Sequence, residues 1–116
     1  MSDVIIYHNP ACGTSRNTLA LLREHGVEPK VVEYLKVGWT SGQLTDLFAK
    51  MGVGPGEALR VMGTRAQADG LTAKSADPAT IIAAMVADPI LVNRPIVASA
   101  KGAALCRPAE RALDLI

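Results

Sequence analysis

Aromatic side chains are scarce in this chain: one Trp, one Phe and two Tyr among 116 residues. A core must therefore be packed by Leu, Ile, Val, Ala and Met. An excess of one charge is missing too. Twelve Lys/Arg face eleven Asp/Glu, and no basic run stands out, so a nucleic-acid or anionic-membrane partner has no electrostatic footprint to bind. Long apolar runs are absent from the N-terminus. In MSDVIIYHNP the apolar stretch is only Val4 to Tyr7, with no basic region, too short for an export signal or a membrane span. Cysteine is limited to Cys12 and Cys106, which read as thiols rather than as a structural disulfide. A reduced, cytoplasmic location is the expectation.

What is present describes a globular chain, with 49% apolar and 20% charged residues. Its length fits one domain, which can bury roughly two-thirds of its unfolded surface without staples.

Val4-Ile5-Ile6-Tyr7 reads as a buried strand that stops at His8-Asn9-Pro10, because Pro10 lacks an amide hydrogen and turns Asn9 away from helical geometry. A helix is expected over Asn17 to His25, with Leu19, Leu21 and Leu22 as its stripe and Gly26 at its end. Lys30 to Tyr34 reads as a second strand, making a βαβ unit with parallel strands. Thr40-Ser41-Gly42-Gln43 matches a capping box ahead of Leu44, Leu47, Phe48 and Met51. A short helical turn is expected around Ala58-Leu59-Arg60. Asp77-Pro78 should open a helix with Ile81, Ile82, Met85 and Val86 buried, ending near Asp88-Pro89.

Pro95–Ser99 and Ala103–Cys106 flank a glycine turn and read as an antiparallel hairpin, followed by a helix from about Pro108. The order β-α-β, helical insert, β-β-α is thioredoxin-like: an α/β fold with a mixed sheet, one domain over residues 1–116 carrying a helical insertion at approximately 40–88.

Cys12 lies in His8-Asn9-Pro10-Ala11-Cys12-Gly13-Thr14-Ser15-Arg16, between strand and helix. Unpaired amides and the positive helix end favour a thiolate there, and the thiolate is the nucleophile. The same amides can bind an oxyanion. Gly13 lets a ligand approach the backbone, and the Ser15 hydroxyl can donate to the sulfur. The competing reading of Cys12 is a small buried hydrophobe. His8 either tunes the charge on Cys12 or only holds the loop, and His25 merely complements the helix dipole. Arg16 is expected at the surface, at most as electrostatic support. Cys106 is expected to be structural. Position 15 is Ser, so no C-x-x-C exists, and Thr18 stands where a C-x5-R phosphatase loop needs arginine. Neither zinc-ligand spacing nor a Walker A sequence occurs.

YHNPACGTSRNTL at 7–19, PILVNRPIV at 89–97 and LCRP at 105–108 resemble the glutaredoxin-dependent arsenate reductases of the ArsC type. The likeness covers essentially the whole chain, more loosely from about Lys36 to Asp77. It implies that Cys12 attacks arsenate and that Arg94, Arg107 and Arg60 bind the oxyanion, with Arg65 a competing third arginine. It also implies a cis bond at Pro95 that holds Arg94 against the nucleophile loop. Glutathione would be the co-substrate and glutaredoxin the partner, with no tightly bound cofactor or metal. Guanidinium groups suit this task because their planar fork pairs with tetrahedral oxyanions as lysine cannot. For Arg94 and Arg107 the competing reading is a surface ion pair. With a single cysteine in the loop, an outside thiol must finish the cycle in any case. The chain stops at Ile116, earlier than some relatives, which leaves the cap over that end of the sheet open. Two alternatives stand beside this reading: another glutathione-dependent thiol oxidoreductase of the same fold, and a regulator of the Spx type, against which the missing C-x-x-C argues.

Overall fold

Four short strands form the sheet that carries the N-terminal motif, in the order β2-β1-β3-β4. These are β1 (Ile5–His8), β2 (Lys30–Glu33), β3 (Ile96–Ser99) and β4 (Gly102–Leu105). The computed structural model describes residues 3–73 and 75–116. Met1 and Ser2, the first residues of the N-terminal segment read above, lie outside the described residues, as does Lys74. Strand β1 pairs in parallel with β2 and antiparallel with β3, and β3 pairs antiparallel with β4. The mixed sheet is the one expected for a thioredoxin-like α/β fold.

Between β1 and β2 runs helix α1 (Gly13–Glu24). It starts four residues before the expected Asn17, because the N-cap is Cys12 itself and Gly13-Thr14-Ser15 already form its first turn. Its other end closes as the sequence suggests. Gly26 is left-handed at φ 78°, its N–H donates to the Arg23 carbonyl, and the Val27 N–H donates to the Leu22 carbonyl. That pair of bonds satisfies carbonyls the helix would otherwise leave open. Val4, Ile6, Leu22, Val97, Cys106, Ala112 and Leu115 form one buried cluster, with Leu19 and Val27 packed on it. At roughly 1.5–3 kcal/mol for each large apolar side chain fully buried, this cluster fixes α1 against β1 and β3.

The chain divides into two compact units, Met1–Val37 with Arg94–Ile116, and Gly38–Asn93. In the first, the second strand is one residue shorter than expected. Tyr34 opens a short helical turn, α2 (Tyr34–Val37), with its side chain buried. The segment after Pro108 is also corrected, since Ala109–Leu115 is a 3-10 helix rather than an α-helix, burying Ala112 and Leu115.

The second unit contains α3 (Ser41–Met51), closed at its start by the expected capping box between Thr40 and Gln43. Helix α4 (Pro78–Ala87) begins after Asp77 as read. Its buried stripe is narrower: Ile81 and Met85 are buried, whereas Ile82 is half-buried and Val86 exposed. The turn expected around Ala58-Leu59-Arg60 is a 3-10 turn at Pro55–Ala58. Leu59 is extended instead and bridges Val92, because Asn93 N–H donates to the Ala58 carbonyl and Arg60 N–H to the Leu91 carbonyl. No helix among the described residues is long and apolar enough to cross a membrane.

Candidate active site

The register of the sheet builds this site. Tyr7 pairs with Ile96, and Ile96 with Leu105. One step further, Cys106 N–H donates to the Pro95 carbonyl at 2.9 Å. Arg94 and Arg107 are therefore neighbours at the sheet end where β1 releases the chain into the Cys12 loop. Arg107 Nη1 donates to the Arg94 carbonyl at 3.0 Å and lies 3.8 Å from Cys12 Sγ. Both Arg94–Pro95 and Arg107–Pro108 are cis peptides; the resemblance implied only the first.

Cys12 occupies the N-cap of α1 in extended geometry, φ −94° and ψ 122°, without a conventional side-chain cap bond. Burial pushes its thiol up. That effect is outweighed by the Ser15 backbone N–H, the Arg94 charge, and side-chain hydrogen bonds from Arg107 and Arg94, so the thiol is more acidic than a free cysteine. The arrangement favours a thiolate and surrounds it with donors that suit an anion.

The loop before Cys12 is held from within by one residue the sequence analysis passed over. Asn9 is buried, and its N–H donates to Ser15 Oγ at 3.0 Å. Its Oδ1 accepts from Ala11 N–H at 3.0 Å, and its carbonyl accepts from Cys12 N–H at 3.0 Å. An Asn-Pro pair between strand and helix is a turn signal, and it was the available clue. Ser15 is fully buried, and its hydroxyl is engaged by Asn9 N–H and by His8 Nδ1 at 2.6 Å. The part of Ser15 that acts on the sulfur is thus its backbone N–H, not the hydroxyl the sequence suggested.

Burial lowers the His8 pKa, with Arg16 and Arg23 adding to it against the opposing Glu33, so the imidazole is held neutral. A neutral ring at this distance secures Ser15, which fits the loop-holding reading better than a charge acting on Cys12. Gly13 opens α1 directly after the nucleophile. Pro95 is buried and precedes β3.

Arg16 is exposed, as expected, and its Nη1 donates to the Pro10 carbonyl at 2.8 Å. Cys106 is fully buried, its Sγ donating to the Ala104 carbonyl, and burial pushes its pKa up to about 11. It is a protonated core thiol.

Arg60 and Arg65 lie in the other unit. Arg60 Nε donates to the Met62 carbonyl at 3.1 Å, while Arg65 pairs with Asp69 at 3.3 Å. The first unit thus holds Cys12, Arg94, Arg107, His8, Ser15, Gly13 and Pro95, while Arg60 and Arg65 belong to the second.

Comparison with known proteins gives this geometry its context. Residues 7–115 match the ArsC family. The chain is 50% identical over 113 residues to arsenate reductase ArsI2 of Synechocystis, covering 97% of this chain and 81% of that protein. It is 42% identical over 116 residues to an arsenate reductase of Escherichia coli K12, covering 100% and 82%. The structure of an arsenate reductase from Vibrio cholerae superposes with a TM-score of 0.94 at 33% identity, covering 99% of this chain and 98% of that one. Sequence, sheet and motif order agree, and the chain belongs to the ArsC family.

Proposed function

We propose that this ArsC-family chain is an arsenate reductase in which Cys12 forms a covalent adduct with arsenate. The supporting observation is the convergence of Arg94 and Arg107 on the Cys12 sulfur, with Arg107 Nη1 at 3.8 Å. A thiolate ringed by guanidinium groups both attracts an oxyanion and has the electron pair to attack it. The thiolate attacks arsenic, an S–As bond forms, and one arsenate oxygen departs as water after protonation. Arg94 and Arg107 offset the charge of the oxygens that remain.

Reduction needs a second thiol, because position 15 supplies a hydroxyl engaged with His8 and Asn9. Glutathione fills that role in this reading. Its sulfur bonds to Cys12, the S–As electron pair passes to arsenic, and arsenite leaves. Glutaredoxin then reduces the Cys12–glutathione disulfide and frees the thiolate. These thiol reductants place the cycle in the cytoplasm. Arg60 is proposed as the third oxyanion ligand, and His8, Gly13, Ser15 and Pro95 as supports of the loop and of Arg94. No tightly bound cofactor is part of the scheme, and the domain is read as one thioredoxin-like unit interrupted by the helical segment.

The test is arsenate-dependent oxidation of glutathione, coupled through glutaredoxin to a recycling reductase. Turnover is expected in the native chain and none in Cys12→Ser. Absence of arsenate turnover, with intact attack of Cys12 on a glutathione disulfide, would assign the site to a different thiol chemistry.

A further inference from the structure

We propose that Arg16 is the recognition residue for a carboxylate of the thiol reductant, holding it on the outer rim of the Cys12 loop. The proposal rests on the preceding reading only for glutathione as the reductant. Arg16 stands one helical turn after Cys12, and its Nη1–Pro10 carbonyl bond of 2.8 Å lays the guanidinium along the loop. A Cβ on Gly13 would come within 3.7 Å of Arg16 Nη2, so the group also covers the residue that follows the nucleophile. It is exposed, and among the described residues it forms no ion pair. The remaining N–H groups of the fork are available to a ligand.

Three observations separate this guanidinium from the arsenate site. Ser15 N–H, Arg94 and Arg107 set the acidity of Cys12, and Arg16 has no part in it. Arg16 instead adds to the lowering of the His8 pKa, which puts its charge at the start of the loop. From Arg16 a shallow groove continues along α1 over Leu19 and Ala20 to Arg23 and Glu24. Arg23 is spent on Glu28 at 3.0 Å, which leaves Arg16 as the open cation of that groove. A tripeptide thiol that must reach the Cys12 adduct from solvent carries carboxylates, and a planar fork beside the nucleophile matches one of them. The apolar floor accommodates its backbone.

The experiment uses the full chain and does not depend on arsenate. Cys12 thiolate attacks one sulfur of oxidised glutathione. The Cys12–glutathione disulfide forms and a glutathione thiolate leaves with the electron pair. Its rate is compared with that for hydroxyethyl disulfide, which lacks carboxylates. Arg16→Gln removes the charge and keeps a donor for Pro10. An exposed charge pair of this kind predicts that the preference for the glutathione disulfide falls about two- to fivefold in Arg16→Gln. It should also shrink in high salt for the native chain alone. Arg16→Lys should retain part of the preference, and alkylation of Cys12 by iodoacetamide should proceed equally in all three proteins. Equal preference in native chain and Arg16→Gln would overturn the proposal. So would a parallel slowing toward both disulfides, which would make Arg16 a loop clamp only. Preserved disulfide preference without arsenate turnover would leave this inference standing while removing the arsenate assignment.

Discussion

Arg107 and Cys12, 95 positions apart in the chain, meet at 3.8 Å, and the same Arg107 nitrogen is steadied by the Arg94 carbonyl at 3.0 Å. One hydrogen-bond donor thus ties the nucleophile to the far end of the hairpin. Removing it should change two measurable quantities at once.

In Arg107→Ala the pH midpoint of Cys12 alkylation should move upward, because one of the groups holding the thiol below its ordinary pKa is gone. The Arg94→Ala midpoint should move in the same direction. The KM for arsenate should rise about tenfold or more in each, the scale of a lost charge-assisted hydrogen bond. Lysine at either position should restore the result only in part. Unchanged alkylation profiles and unchanged KM would remove both residues from the anion site.

Cys106→Ser should retain arsenate turnover, because the native thiol is protonated near neutrality and sits inside the core cluster. Its cost is stability. A hydroxyl in place of a fully buried sulfur is expected to lower unfolding free energy by about 1–3 kcal/mol, read as a shift in the urea midpoint. Loss of turnover in a protein that remains folded would give Cys106 a chemical role.

His8 links pH to stability. Its folded pKa is lowered by burial, so the neutral ring stabilises the fold above the unfolded value of about 6.5. That contribution is lost as pH falls through the folded pKa. Thermal melts of the native chain should therefore decline from pH 7 toward pH 5.5, and His8→Gln should show a flatter profile over the same window. Identical slopes would show that the His8–Ser15 contact is not coupled to folding.

Arg60 and Arg65 can be told apart by substitution. Arg65 is engaged in an exposed i,i+4 pair with Asp69, worth about 0.3–0.5 kcal/mol. Arg65→Ala should leave arsenate KM and melting temperature nearly unchanged. Arg60→Ala should raise KM without changing the Cys12 alkylation profile, because Arg60 is not among the groups that set the thiol's acidity. A KM increase in Arg65→Ala alone would transfer the role to Arg65.

The sequence made the frame of this site readable because local rules and sheet register point the same way. A Pro-bearing loop between a β-branched strand and a helix locates Cys12, and the glycine turn of the hairpin aligns the residues that precede its two prolines. Less was readable where a residue's role depends on which of its atoms is used. Ser15 was expected to act through its hydroxyl, but Asn9 and His8 engage that group, leaving the backbone N–H to the sulfur. Val86 fits the helical period of an inside position, yet of that stripe only Ile81 and Met85 are buried, with Ile82 half-buried and Val86 exposed. Periodicity names a stripe, whereas its width is set by what packs against it. The last segment kept its apolar contacts at Ala112 and Leu115 while winding as a 3-10 helix, a choice of hydrogen-bond partner that side-chain pattern does not encode.

The groups that make Cys12 acidic, namely Ser15 N–H, Arg94 and Arg107, all belong to the unit that holds the sheet. The strength of the nucleophile is therefore written in two short stretches, the Cys12 loop and the residues flanking the hairpin, which the β1–β3 pairing sets side by side. A change that disturbs that pairing would blunt the thiol even with every one of those side chains in place.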